Sequence, residues 1–340
     1  MFLPVLEVCV LLFLIVWVCG LFTNAVEWIG HRFNLSDGAV GSVLAAVGTA
    51  LPETLVPVIA IVSGVLGFSG IDVNSGHDIG IGAILGAPFL LSTLALVVSA
   101  TAYFYATSQK KRPPGLQADL ALFRRDLLYF FPAYGIVLLA SMISSPSAKI
   151  AIALGLVAFY AVYVYRTLKL DGDNAETEDL SPLVFSPKQT EPKTAFIIGQ
   201  LVVSLLLLMA MVHFFVEHIH HIAAIIGIPE LILSLVITPI ATELPEKFNS
   251  VVWICKGKDN LALGNITGAM VFQSCIPTAI GVALTPWLLE QNAVLSIILC
   301  FISALVAYVF ARYNESQLPL AIFLTGLICY GIFLSSIFLK

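Results

Sequence analysis

The sequence predicts an all-α polytopic membrane protein of ten transmembrane helices, arranged as two inverted repeats of five helices each. Composition is the first observation: 59% of the 340 residues are hydrophobic and only 11% are charged, whereas a soluble domain carries about 25% charged residues. The second is a series of apolar runs long enough to cross a hydrocarbon core about 30 Å thick. The third is a pair of similar polar segments, at 48–53 and 241–246, in opposite halves of the chain.

Each apolar run is expected to form one helix. The runs lie at 3–22, 38–64, 79–105, 124–143, 147–166, 195–215, 230–254, 259–283, 289–310 and 317–338. The first carries Glu7 and lacks a basic leader and a small-residue cleavage site, so we expect a retained helix and not a signal peptide. The six cysteines fall in or beside these runs without metal-ligand spacing, so no disulfide or zinc site is expected.

Basic residues in the loops set the expected orientation. With both termini outside, thirteen lysines and arginines face the cytoplasm and only Lys149 and Lys340 face outward. The inside set is Arg32, Lys110, Lys111, Arg112, Arg124, Arg125, Arg166, Lys169, Lys188, Lys193, Lys256, Lys258 and Arg312. This asymmetry follows the positive-inside rule. No basic surface suggests nucleic acid, so the expected partners are the lipid bilayer and inorganic cations.

A polar stretch, 168–194, divides the chain into a first repeat (1–167) and a second repeat (195–340). It is acidic and rich in Pro, Ser and Thr, so it is expected to be a mobile cytoplasmic linker. A regulatory ion bound by its acidic residues is the alternative. The run lacks the glycine-containing twelve-residue spacing of an EF-hand, which favours a solvated linker.

The two halves repeat each other. Segment 35–53 aligns without gaps on 228–246, and both end in a T-x-L-P-E core. Downstream, 78-DIGIGAILGA-87 mirrors 259-DNLALGNITGA-269. Five runs in each half is an odd number, so the second copy enters the membrane from the opposite side. Inverted repeats with Gly/Pro-interrupted helices at matching positions are typical of alternating-access transporters.

These segments resemble the alpha repeats of the cation/calcium exchanger superfamily, which includes sodium/calcium and proton/calcium antiporters. The family pattern is G-T-S-L-P-E, followed after a loop by D-x-A-x-G-N-x-x-G-S-N. The second repeat reads 241-ATELPE-246 and then 259-DNLALGNITGAM-270, and the first reads 48-GTALPE-53 and then 78-DIGIGAILGAP-88. The resemblance covers nearly the whole chain. It implies exchange of Ca2+ or another divalent cation for H+ or Na+, with no cofactor and no enzymatic activity.

Carboxylates in the broken helices are the candidate cation ligands. A charged side chain in mid-membrane costs about 2.5–3.5 kcal/mol even on the lenient insertion scale, so Glu53, Glu243 and Glu246 require a functional reason. A divalent cation takes several oxygen ligands, and one glutamate from each repeat would neutralise its two charges. Pro52 and Pro245 cannot donate the helical hydrogen bond, which frees carbonyls in the preceding turn. The alternative for Glu53 and Glu246 is hydrogen bonding to neighbouring helices.

Further candidates surround these glutamates. Thr49 and Thr242 offer oxygen ligands, although a threonine hydroxyl also bonds back to its own helix. Asn265 is either a ligand or a tether between helices. Asp78 and Asp259 lie where helices begin and serve either as ion vestibules or as helix N-caps. Ala50, which stands where the family has serine, completes the candidate set.

Departures from the family pattern concern the counter-ion. The hydroxyl and amide groups that help form sodium sites in sodium-coupled members are replaced at Ala50, Ala83, Pro88, Ala269 and Met270. Glu243 replaces another such serine. Burial beside other carboxylates disfavours ionisation, so Glu243 is a candidate proton carrier. The competing interpretation is an ion pair with Lys247, its i+4 neighbour.

The sequence therefore predicts an integral membrane antiporter for a divalent cation, foremost Ca2+, driven by H+ or Na+. Alternatives are an exchanger for Mg2+ or Mn2+, and a channel-like or non-transporting relative. An enzyme is not expected, because the loops carry no nucleophile–base pairing and no phosphate loop. A histidine cluster at 218–221 either binds a transition metal through His218 and His221, senses external pH, or is an interfacial cluster without a transport role.

Overall fold

A computed structural model describes residues 2–32, 51–116, 118, 120–170 and 181–338. These residues form long helices joined by short turns. The helices are α1 (Phe2–Arg32), α2 (Leu51–Leu66), α3 (Val73–Ser108), α4 (Leu120–Ser141), α5 (Pro146–Leu170), α6 (Thr194–Ile226), α7 (Glu230–Cys255), α8 (Asp259–Leu284), α9 (Gln291–Tyr313) and α10 (Leu318–Phe338). The chain is thus all-helical over the described ranges, as the sequence predicts.

Seven of these helices contain segments long and apolar enough to cross a membrane: Glu7–Val26, Val73–Ser108, Pro146–Thr167, Thr194–Ile226, Ala262–Leu284, Gln291–Tyr313 and Leu318–Ile337. The other three, α2, α4 and α7, fall short for different reasons. The described part of α2 is short, and its apolar segment is Glu53–Leu66. Helix α4 carries Arg124, Arg125 and Asp126, and the apolar segment found in α7 is limited to Glu230–Ile240.

Helices α3 and α7, one from each half of the chain, pack against each other at the centre of the molecule. The contact is close because α3 presents Gly82 and Gly86 to the backbone of α7, where a Cβ atom would overlap the carbonyl oxygens of Leu231 and Leu235. The Ser234 hydroxyl crosses the same contact and donates to the Ile79 carbonyl at 2.7 Å. The two halves therefore share one buried interface.

Helices α3 and α8 each contain a proline near which the backbone hydrogen bonding differs from that of a regular α-helix. In α3, a π-helical turn at Leu91–Ala95 follows Pro88. In α8, Pro277 has no N–H to donate to the carbonyl of Gln273 four residues earlier. The Thr278 hydroxyl donates to that carbonyl instead, at 3.0 Å. Irregular backbone at membrane depth requires such replacement partners.

Helices α1 and α6 pack along each other and hold part of the linker. Asn24 and Trp28 of α1 donate to the Ser181 carbonyl at 3.2 and 3.0 Å. The Phe185 N–H donates to the Gln200 side chain of α6 at 2.9 Å. The Leu183 side chain is fully buried beside Trp28 and Ile197. Segment 181–186 is thus held against these two helices by several of its backbone groups and by its leucine, contrary to the expectation of a mobile linker over these residues.

Candidate cation site

The described carboxylates Glu53 and Glu243 are both buried in the helices that the sequence singles out. Glu53 lies in the first described turn of α2 and is 5% exposed, and Glu243 lies in the middle of α7 and is 1% exposed. Helix α7 extends through position 246, but the side chains of Glu246 and Lys247 lie outside the described residues, as do Thr49 and Ala50. Two acidic groups therefore lie buried in the segments that carry the T-x-L-P-E core.

Glu243 accepts a hydrogen bond from the carboxamide of Gln273 on α8. Both side chains are almost completely excluded from solvent. The Gln273 carbonyl is also the one that Pro277 leaves without a helical N–H donor. Sequence reasoning missed this glutamine. In the sequence, Gln273 is recognisable only as a polar residue within the apolar run 269-AMVFQSCIP-277. Its role becomes clear from its contact with Glu243 on α7.

Thr242 and Asn265 are both engaged within the protein. The Thr242 hydroxyl donates to the Thr238 carbonyl of its own helix at 3.2 Å. The Asn265 amide donates to the Ser250 hydroxyl of α7 at 3.3 Å. These are the back-bonded and tethering alternatives that the sequence left open. Both groups keep an oxygen that is chemically able to accept a cation, because a hydroxyl and a carboxamide each have acceptor lone pairs.

The two aspartates at matching repeat positions have different surroundings. Asp78, in the second turn of α3, lies near three other carboxylates, those of Glu290, Glu230 and Asp72. Asp259, the first residue of α8, is fully buried and paired with Arg112. The Asp78 side chain does not cap its helix. The cap of α3 is Asp72, whose carboxylate accepts from the Ser75 N–H at 2.8 Å, so the N-cap explanation for Asp78 is wrong.

A further buried carboxylate, Asp126 on α4, lies against the same helix α8. It accepts hydrogen bonds from the hydroxyls of Thr267 at 2.8 Å and Tyr163 at 3.2 Å. The Arg125 guanidinium is 3.2 Å from it. Thr267 and Asn265 are two residues apart on α8 and therefore point in different directions. Asp126 thus anchors a face of α8 other than the face that carries Asn265, and the sequence analysis did not single it out.

The three histidines of the cluster contact three different carboxylates. His218 lies 3.0 Å from Glu7, His220 lies 3.2 Å from Glu230, and His221 lies 4.0 Å from Glu217. A shared metal would need the imidazoles to converge on one point. Among the side chains that the structure describes, no three His, Cys, Asp or Glu residues are arranged to hold a metal ion. The chelating interpretation of His218 and His221 is therefore not supported by the geometry.

Glu53 and Glu243 have the ligand chemistry that a hard cation prefers, although the described side chains alone do not assemble a complete metal site. Carboxylate, hydroxyl and carboxamide oxygens are the ligands that Ca2+ and other hard divalent ions prefer, and carboxylates also supply negative charge. Buried carboxylates are costly without a cation, a proton or hydrogen-bond donors.

A family model described as "Sodium/calcium exchanger protein" matches residues 4–169 and 196–339 of the chain. The chain is 28% identical over 284 residues to a protein of Alkalimonas amylolytica named "Putative antiporter CaxA", covering 83% of this chain and 81% of that protein. It is 24% identical over 280 residues to the inner membrane protein YrbG of Escherichia coli strain K12, covering 81% of this chain and 78% of YrbG.

Solved structures share the fold. The H+/Ca2+ exchanger CAX has a TM-score of 0.71 and 19% identity, covering 97% of this chain and 85% of that one. Native YfkE has a TM-score of 0.69 and 12% identity, covering 98% and 92%. The sodium-calcium exchanger NCX_Mj has a TM-score of 0.59 and 21% identity, covering 98% and 99%. At these identities the likeness establishes the architecture of an integral, multi-pass membrane protein.

Proposed function

Because the chain belongs to the sodium/calcium exchanger protein family, we propose that it is a secondary antiporter that exchanges a divalent cation, foremost Ca2+, for H+ or Na+. The observation that carries the proposal is the burial of Glu53 and Glu243 in two helices from opposite halves of the chain. Charge in mid-membrane is expensive. In a carrier, the transported cation would neutralise this charge, which explains why the buried glutamates are present.

The cargo is held by oxygen ligands from both halves of the chain. Glu53 and Glu246 each supply one negative charge, and together they compensate a divalent cation. Thr49, Thr242 and Asn265 supply neutral oxygens, with Ala50, Asp78 and Asp259 at the margins of the site. A hard divalent ion needs several oxygens at once, which is why ligands from two helix pairs are required.

We favour H+ as the driving ion. The positions at which sodium-coupled relatives of the family pattern carry hydroxyls and amides are here Ala83, Pro88 and Met270, which are buried and apolar, together with Ala50 and Ala269. Glu243 is a titratable group close to the cation ligands on α7. A carboxylate there can bind a proton when the divalent cation has left and release it when the next one arrives.

The proposed topology has ten transmembrane helices in two inverted repeats, 1–167 and 195–340. Both termini and the histidine cluster face outward, and the linker 168–194 faces the cytoplasm. The distribution of thirteen basic residues against two supports this orientation. Opposite insertion of the two halves places Glu53 and Glu246 at related positions about a pseudo-twofold axis.

The test is flux into proteoliposomes that contain the purified chain, with Ca2+, Mg2+ and Mn2+ offered separately. Gradients of H+ and of Na+ are imposed one at a time. We expect Ca2+ flux that requires an opposing H+ gradient. Flux that needs no counter-ion would indicate a channel, preference for Mg2+ or Mn2+ would indicate an exchanger of another metal, and the absence of flux would indicate a non-transporting relative.

A further inference from the structure

The guanidinium of Arg112 pairs with the carboxylate of Asp259 through two hydrogen bonds, from Nη1 to Oδ1 at 2.6 Å and from Nη2 to Oδ2 at 2.5 Å. The two side chains are 1% and 0% exposed. Nη1 also donates to the Ile254 carbonyl at 2.8 Å, and the Tyr103 ring lies 4.8 Å from the guanidinium carbon. This planar, two-pronged contact uses the geometry that distinguishes arginine from lysine.

This contact joins the two halves of the chain next to the candidate site. Arg112 lies in the loop between α3 and α4. Its guanidinium also donates to the Gly115 carbonyl of the same loop, at 3.0 Å. Ile254 is in the last turn of α7 and Asp259 is the first residue of α8. One side chain from the first half therefore contacts both helix ends that flank the α7–α8 turn.

The hairpin carries the described ligands of the second half of the chain. Asn265 lies six residues after Asp259 on α8, about 9 Å along the axis at 1.5 Å per residue. Its hydrogen-bond partner, Ser250, lies one turn before Ile254 on α7. Any shift of the ends of the hairpin is therefore transmitted to the pairing of Asn265 with Ser250.

The matching position of the first repeat is built differently. Asp78 corresponds to Asp259 in the repeated sequence, yet its charged neighbours are the carboxylates of Glu290, Glu230 and Asp72. The arginine clamp thus lies at one end of the molecule, near the loops 109–116 and 256–258, which we call the basic face. A contact that served only the repeated fold would be expected at both ends.

We propose that Arg112 is a positioning residue whose ion pair with Asp259 fixes the α7–α8 hairpin at the basic face and sets the affinity with which the site takes divalent cations from that face. The inference rests on the cation exchange proposed above. Separating a buried ion pair leaves charges that must be rehydrated. The end of the hairpin therefore moves only when water reaches both groups, which couples its position to the opening of this face.

The test compares Arg112→Lys and Asp259→Asn with a matched control, Arg124→Lys. Arg124 also pairs with a carboxylate, Glu315 at 3.9 Å, but both side chains are partly exposed. In proteoliposomes of uniform orientation, the apparent KM for Ca2+ is measured separately from each face. We expect Arg112→Lys and Asp259→Asn to raise the KM for Ca2+ at the basic face about tenfold or more. This factor corresponds to the free energy of one hydrogen bond to a charged group. The KM at the opposite face should change much less. The control should change neither value.

A second readout does not depend on transport. Ala262 lies on α8 between Asp259 and Asn265 and is fully buried. In a cysteine-free background, Ala262→Cys should react about tenfold faster with an impermeant thiol reagent from the basic face when Arg112→Lys is added. If the wild-type chain moves no Ca2+ while labelling still accelerates, the proposed function fails and the role of the clamp stands. Equal KM changes at both faces, or unchanged KM and labelling in both folded variants, would overturn the inference.

Discussion

The carboxamide of Gln273 on α8 donates a hydrogen bond to the carboxylate of Glu243 on α7, and both side chains are buried. Within the same helix, Pro277 has no N–H to donate to the Gln273 carbonyl, and the Thr278 hydroxyl donates to that carbonyl. Gln273 therefore takes part both in the contact with the buried carboxylate and in the local hydrogen bonding around Pro277. The consequences of this contact can be measured.

Replacing Gln273 with Leu, the residue at the matching position of the first repeat, should destabilise the folded protein by about 1.5–3 kcal/mol, because Glu243 loses a charge-assisted hydrogen bond. Thermal unfolding in detergent measures the effect. The exchanged pair Glu243→Gln with Gln273→Glu keeps one carboxylate and one amide at this contact and should recover most of the stability. A melting temperature for Gln273→Leu equal to that of wild type would show that the contact contributes nothing.

Glu53→Gln and Glu246→Gln should each abolish divalent exchange while leaving folding intact, since each glutamate supplies half of the charge that compensates the cation. Flux in proteoliposomes measures activity, and chromatographic behaviour in detergent reports folding. Glu191→Gln is the matched control, because the Glu191 side chain is 67% exposed. Wild-type flux in either site variant would refute a shared site.

Glu243→Ser should weaken or abolish the pH dependence of divalent flux and partly restore a response to Na+, because it replaces the proposed proton carrier with the hydroxyl of the family pattern. The measurement is Ca2+ flux as a function of pH, with and without a Na+ gradient. Lys247→Met is the comparison. If the serine variant keeps the full pH profile and Lys247→Met alters it, Glu243 is a structural partner of Lys247 and carries no proton.

Cysteine labelling tests the topology. On a cysteine-free background, Glu176→Cys in the linker should react with an impermeant reagent only from the cytoplasmic side. Ser145→Cys, in the exposed turn between α4 and α5, should react only from outside, because the turns on the two sides of an odd number of spans face opposite compartments. Labelling of position 176 from outside in intact cells would invert the proposed orientation.

Much of the architecture follows from the sequence because it depends on local properties. Apolar runs of sufficient length predict the membrane helices, and the recurring T-x-L-P-E core marks α2 and α7. The burial of Glu53 agrees with the interpretation of these segments. Helix ends are less predictable: Asp78 looks like a helix start, but the chain uses Asp72, whose carboxylate reaches the Ser75 N–H.

What the sequence did not predict depends on partners that are distant along the chain. In the sequence, Asp126 is an acidic residue beside two arginines, and only the structure shows that Thr267 and Tyr163 donate hydrogen bonds to it. Arg112 is one of many basic loop residues in the sequence, and only the structure pairs it with Asp259, 147 positions later. The composition of the linker suggests disorder, but composition does not reveal that Asn24 and Gln200 form hydrogen bonds with the backbone of 181–186. Pairings of this kind arise from topology and leave no pattern in a single stretch of residues.

Segment 181–186, which follows the acidic part of the linker, connects the second half of the chain to the first. Its contacts are made with α1 of one half and α6 of the other, and α3 and α7 share a tight glycine-lined interface. Covalent continuity through 171–180 is then not what keeps the halves together. Two polypeptides divided within that run, each translated from its own message, should find one another in the bilayer and assemble into a working protein.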